Sequence, residues 1–208
     1  MKLPEKLVQN QLPKSQYYRT KHPKKQIVIH HTVSNGNANN VIAWWKKTPQ
    51  RVGTAFIIDR EGIIHQCFQS GYWAHHLGLK DKRNPELNQQ SIGIELCNWG
   101  GLRKVDGKFT SYFNAIVPCN EVITYEEKFR GYSHFQKYTQ VQLESLSNLI
   151  QYLGKSYNIP LTYNPCMWDV SQCALHSVPG VFTHVTFKES KSDCHPQPEL
   201  IQTLKSLP

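Results

Sequence analysis

Two short runs rich in β-branched and apolar residues, 26–33 (QIVIHHTV) and 91–97 (SIGIELC), constrain the fold more than any other feature of this chain. Runs of this length and composition bury as strands rather than helices. Between them, 54–59 and 63–68 flank Arg60-Glu61-Gly62 and read as a β-hairpin. A third apolar run, 181–187 (VFTHVTF), reads as a late strand. Helical signals alternate with these strands. Thr139 and Gln142 form a capping-box pattern, and Leu146, Leu149, Ile150 and Leu153 follow at helical spacing until Asn158-Ile159-Pro160. The turn-like stretch 35–40 (NGNANN) precedes Val41, Ile42, Trp44 and Trp45, which suit one face of a short helix. Another short helix is expected from about residue 199. Residues 100–131 read as an insertion with short strands, and 161–180, with Pro165 and Pro179, as a long loop. The 208 residues therefore predict a single α/β domain, a mixed β-sheet flanked by helices.

Charge is unevenly spread. The net charge is +9, and residues 1–25 contribute +6 of it through Lys2, Lys6, Lys14, Arg19, Lys21, Lys24 and Lys25 against Glu5. Punctuated by Pro4, Pro13 and Pro23, this segment reads as a basic polar extension ahead of a domain at 26–208. It serves either as a solvated tail or as a contact for an anionic polymer. No motif for specific nucleic-acid recognition accompanies it. No stretch approaches the ~18 apolar residues of a membrane span. The first residues lack the apolar run of a secretory signal, so cytoplasmic synthesis is expected. Six scattered cysteines contain no Cys-x-x-Cys pair, which argues against a cysteine-rich zinc module and for reduced structural thiols.

The chemistry concentrates in three places. His30 and His31 end the first strand, His75 and His76 follow Tyr72-Trp73-Ala74, and His184 lies in the late strand. Imidazoles from distant strand ends can converge on zinc, whose catalytic sites use three protein ligands. Adjacent strand residues face opposite sides, so at most one of His30 and His31 serves. Glu95 alternates with Ile94 and Leu96 on a strand that reads as central. Burial there would raise its pKa and suit it to general-base work, unless it faces solvent at an edge. Lys191-Ser192-Asp193-Cys194 places a cation beside two possible metal ligands, seven to ten residues after His184.

In order, IVIHHTVS, GTAFIIDREGIIHQCF, YWAHHLG, SIGIELCNWG and FTHVTF…KSD resemble the zinc-dependent N-acetylmuramoyl-L-alanine amidases. This is the type-2 family, which includes phage endolysins and relatives of peptidoglycan recognition proteins. The resemblance spans about residues 26–198 and implies a mixed sheet with a zinc groove on one side. It implies His30, His184 and Asp193 as zinc ligands, with Cys194 the alternative third ligand. It also implies Glu95 as base and Lys191 as oxyanion stabiliser. His76, Trp73 and Trp99 fall where the family lines its substrate groove, and Trp44 and Trp45 are further wall candidates. Each tryptophan reads equally well as core. Thr54 stands where some relatives carry a catalytic tyrosine. The implied reaction is cleavage of the amide between N-acetylmuramic acid and L-alanine of peptidoglycan, by a monomer acting on the cell wall. The alternative is a non-catalytic peptidoglycan-binding protein, which usually lacks a ligand that this chain retains.

Overall fold

The computed structural model describes residues 4–34 and 36–208. In chain order its elements are β1 (Leu7–Gln9), β2 (Gln26–His31), α1 (Ala38–Trp45), β3 (Phe56–Ile58), β4 (Ile64–Gln66), α2 (Asn84–Gln90) and β5 (Ser91–Leu96). Then come β6 (Gly101–Val105), β7 (Lys108–Thr110), β8 (Ile116–Val117), β9 (Val122–Phe129) and β10 (Tyr132–Gln136). Next are α3 (Gln140–Tyr157), α4 (Gln172–Leu175), β11 (Gly180–Thr183) and α5 (Pro198–Lys205).

The central sheet runs β1-β4-β3-β5-β2-β11. β3, β5, β2 and β11 are mutually parallel, and β4 returns antiparallel to β3 through the expected hairpin. The sheet is therefore mixed, and helices flank it. The 91–97 run is central, as its apolar pattern requires, and the buried residues of β2 extend over its whole length. One face of the sheet, with Ile27, Ile29, Ile92, Ile94 and Val181, packs on Leu143, Leu146, Leu149, Ile150 and Leu153 of α3. The capping box forms, with Thr139 accepting from the Gln142 backbone and Gln142 reaching back to Thr139. Asn158 ends the helix in the left-handed region. Beneath the other face, Val28 and Phe182 join Leu77, Leu87, Leu175 and Phe187 in a smaller cluster.

Three expectations are revised. First, the segment 1–25 is not a free extension over its described part. β1 pairs in parallel with β4, and Leu12 and Tyr17 enter the core. Lys24 is buried and donates to the carbonyls of Tyr72, Gln89 and Ser91 at 2.9, 2.8 and 3.0 Å. Burial pulls its ammonium down to about 7, and the three carbonyls oppose that by holding the charged form. Lys24→Met should lower stability by about 3 kcal/mol, because three buried acceptors lose their donor; denaturant unfolding would read it. Second, Trp44 does not share the buried face of α1. Neighbouring helix positions diverge by about 100°, so Trp45 is 3% exposed and Trp44 is 59% exposed. Third, the 161–180 loop holds a 3-10 turn at Pro165–Trp168 and the single turn of α4.

The 100–131 insertion is larger than expected. It continues to Gln136 and forms a second, antiparallel sheet in the order β8-β7-β6-β10-β9. Asp106-Gly107 and Arg130-Gly131 both adopt positive φ (49° and 75°, 47° and 87°), the conformation of tight hairpin turns. This sheet is fastened to the domain by Arg60, which donates to Glu121 and to the Lys137 carbonyl. His195 fastens it too, stacked between Phe135 and Tyr138. All six cysteines are unpaired; Cys67, Cys97 and Cys194 are buried, the others exposed. No described helix is long and apolar enough to cross a membrane.

Candidate metal centre and active site

Because β2, β5 and β11 run parallel, their C-terminal ends meet at one edge of the sheet. His30 is the penultimate residue of β2, Glu95 is that of β5, and His184 follows β11 directly. His30 and Glu95 are in register across the two strands, so both side chains leave the same face. Asp193 reaches them from the loop after His184, which the Val185 N–H to Asp193 carbonyl bond closes at 3.0 Å.

Three donor atoms converge at this point. His30 Nδ1 lies 2.9 Å from His184 Nδ1 and 3.2 Å from Asp193 Oδ2, and His184 Nδ1 lies 2.8 Å from the same oxygen. All three residues are buried. Among the described residues they are the group whose ligand atoms lie close enough together to hold a metal ion. Their outer nitrogens are engaged elsewhere. His184 Nε2 donates to the Leu77 carbonyl at 2.8 Å, and His30 Nε2 meets His76 Nδ1 at 3.0 Å. With Nε2 committed as a donor, Nδ1 is the ring nitrogen of His184 left to face another imidazole and a carboxylate. Burial, with His184 adding to it, lowers the His30 pKa to about 4, so that ring is neutral at pH 7. Burial would raise Asp193, but His184 and the contacts to both histidines outweigh it and hold this carboxyl well below its usual range. An ionised carboxylate and two imidazole nitrogens facing one another attract a cation, and the donor set suits zinc.

Glu95 stands beside this cluster. Burial and the negative charge of Asp193 push its pKa well above the carboxylate norm, and Lys191 pulls in the opposite direction. Its Oε2 is buried without a hydrogen-bond partner. Glu95 therefore lies half-buried on an inner strand, not on a solvated edge strand. Lys191 is half-buried, and its charge reaches Glu95, His30 and His31.

The remaining residues singled out in the sequence separate. His31 faces the opposite side, with Nδ1 3.0 Å from the Tyr138 hydroxyl. Cys194 is fully buried in the main core beside Tyr138, away from the cluster that holds Asp193, and burial raises its thiol pKa. His76 is half-buried, with Nδ1 3.0 Å from His30 Nε2 and Nε2 2.9 Å from Ser91 Oγ. Trp73 is buried. Tyr18 stacks on it at 3.9 Å and its indole N–H donates to Thr20. His75 packs edge-on against Tyr18 and Trp73, away from the donors. Trp99 is half-buried near Phe113, with ring centroids 6.3 Å apart. Exposed Trp44, Tyr112 and Phe113 line a neighbouring groove of about 420 Å³. Thr54 is buried and donates to the Phe56 carbonyl at 2.8 Å. Gly93 allows this packing, since a Cβ there would lie 2.6 Å from Thr54 and 3.2 Å from His76 Nδ1.

Sequence reading missed Ser91, Asn88 and Tyr138. Strand alternation from Glu95 through Gly93 pointed to Ser91, because odd positions of this run share a face. Asn88 had no such signal; its side-chain oxygen accepts from the backbone N–H groups of His76 and Leu77, at 2.7 and 3.2 Å.

A cluster of two imidazoles and a carboxylate at the carboxyl ends of parallel strands, with a half-buried carboxylate alongside, suits a hydrolytic class of site. The Amidase_2 family model, N-acetylmuramoyl-L-alanine amidase, matches residues 20–198. The chain belongs to this family and is a peptidoglycan amidase. Its fold is similar to that of PlyL, with 16% identity over 97% of this chain and 98% of that one, and a TM-score of 0.58. It is also similar to LysCS, an endolysin N-acetylmuramoyl-L-alanine amidase from Clostridium intestinale, at 17% identity, 95% and 93% coverage and TM-score 0.53. A third similar structure is the amidase AmiD from E. coli with anhydro-N-acetylmuramic acid-L-Ala-D-gamma-Glu-L-Lys. It shows 20% identity, 89% and 59% coverage and TM-score 0.54. No curated protein sequence matches the chain.

Proposed function

We propose that the chain is a zinc-dependent amidase that cleaves the bond between N-acetylmuramic acid and L-alanine of peptidoglycan, with the ion held by His30, His184 and Asp193. The observation that carries this is the convergence of His30 Nδ1, His184 Nδ1 and Asp193 Oδ2 within 3.2 Å of one another, each from a buried side chain. Zinc at such a donor set supplies Lewis acidity, which polarises a carbonyl and makes water more acidic.

The protein's own groups do the rest. Glu95 takes a proton from the attacking water and delivers it to the nitrogen of the departing L-alanine. Its raised pKa suits both halves of that task, since the acid form must persist long enough to donate. Lys191 sets a positive charge near the oxygen that becomes negative in the tetrahedral intermediate. Leu77, through its carbonyl, and His76, through its ring, orient the two metal-binding imidazoles. Trp99, half-buried beside Phe113, offers a stacking wall for the sugar. Exposed Lys6, Lys14, Arg19, Lys21 and Lys25 would contact an anionic wall polymer without affecting the chemistry.

Removal of metal tests the central part. Treatment with a strong chelator should abolish release of L-alanine-linked stem peptides from purified sacculi, and about one equivalent of zinc per chain should restore it. Full activity in protein shown by elemental analysis to be metal-free would refute zinc dependence.

A further inference from the structure

We infer that Ser91, which touches neither the metal donors nor the space between them, is a positioning residue that sets the zinc affinity of His30 through His76. The reasoning follows the direction of each proton. Ser91 Oγ lies 2.6 Å from the Leu87 carbonyl, an atom that only accepts, so the serine hydrogen is committed there. The 2.9 Å contact between Ser91 Oγ and His76 Nε2 then requires the ring to donate. A ring that holds its single proton at Nε2 keeps a lone pair at Nδ1. That lone pair accepts from His30 Nε2 across 3.0 Å. His30, with its proton at Nε2, is left with its lone pair on Nδ1, facing His184 and Asp193.

The relay is braced on both sides. Asn88 accepts from the backbone N–H of His76 at 2.7 Å, fixing the segment that carries the ring. Gly93, in the same strand as Ser91, leaves room for His76 Nδ1 where a Cβ would crowd it to 3.2 Å. Without the Ser91 hydroxyl, His76 gains freedom to carry its proton on Nδ1. It would then donate to His30 Nε2 and drive the His30 proton onto the atom that must bind metal. His184 needs no such relay, because its Nε2 donates straight to the Leu77 carbonyl.

This inference rests on the zinc reading of the site, and the experiment separates the two. Zinc affinity is measured by competition with a chromophoric chelator for the wild type, Ser91→Ala and Ser91→Thr. Ser91→Ala should bind zinc about 10- to 100-fold more weakly, the range found when such outer hydrogen bonds are removed. Ser91→Thr, which keeps the hydroxyl, should recover most of the loss. Long-range ¹H–¹⁵N spectra of the protein as purified should show the His76 proton on Nε2, a reading that stands even if a variant folds poorly. Equal zinc affinity in a folded Ser91→Ala, or a His76 proton on Nδ1, would overturn the relay. Wild-type protein with no measurable zinc affinity would instead refute the zinc reading beneath it, and with it the effect of Ser91 on affinity.

Discussion

Glu95→Gln should reduce amide hydrolysis by about 10²- to 10⁴-fold, the range for loss of a general acid–base group, while metal content stays at the wild-type level. Glutamine keeps the shape of the side chain on β5 but neither accepts nor returns a proton. Stability should move the other way. The folded-state pKa of Glu95 is raised well above the usual value of 4.5, chiefly by burial and then by Asp193. A carboxyl with a raised folded pKa supports the fold fully below its unfolded pKa and loses that contribution as pH rises through the folded one. In metal-free protein, the stability of the wild type relative to Glu95→Gln should therefore fall as pH rises from about 4.5. At pH 7 the variant should unfold no earlier than the wild type in urea. A variant that keeps full activity would remove Glu95 from the chemistry. One that loses activity and stability together would make the residue structural.

Asp193→Ala has the second large expected effect: loss of both bound zinc and hydrolysis. Removing the carboxylate takes away the charge of the donor set and leaves two imidazoles, too few for a zinc site of three protein ligands. Cys194→Ala should retain both. Its sulfur lies in the core beside Tyr138, so the cost is a small cavity and a modest loss of stability, of the order of 1 kcal/mol.

Much of the site was legible in the sequence because it obeys strand periodicity. Alternation along β2 separated His30 from His31, and alternation along β5 put Glu95 opposite Ile94 and Leu96; both separations hold in the structure. The helical period of 146–153 and the capping box of Thr139 located α3 for the same reason, since local rules decide them. The features that were not legible depend on contacts between distant residues. β1 is only three residues long and largely exposed, and it exists because β4 offers it a free edge. Trp73 reads as a groove wall until Tyr18 is seen stacked on it, 55 residues away in sequence. Lys24 reads as one more surface charge until three carbonyls enclose it. The second sheet left a local trace in Asp106-Gly107, but its strands pair too irregularly in composition to show a period of two. The choice between Asp193 and Cys194 was open by one residue of register, and it is the path of the loop, closed by Val185, that brings Asp193 to the histidines.

The most direct measurement is therefore elemental analysis of the purified wild type, Asp193→Ala and Cys194→Ala, with stem-peptide release from sacculi assayed on the same samples. About one zinc per chain in the wild type and in Cys194→Ala, with neither zinc nor release in Asp193→Ala, is the expected result. Zinc kept by Asp193→Ala and lost from Cys194→Ala, or peptide release from metal-free wild type, would contradict a centre built from His30, His184 and Asp193.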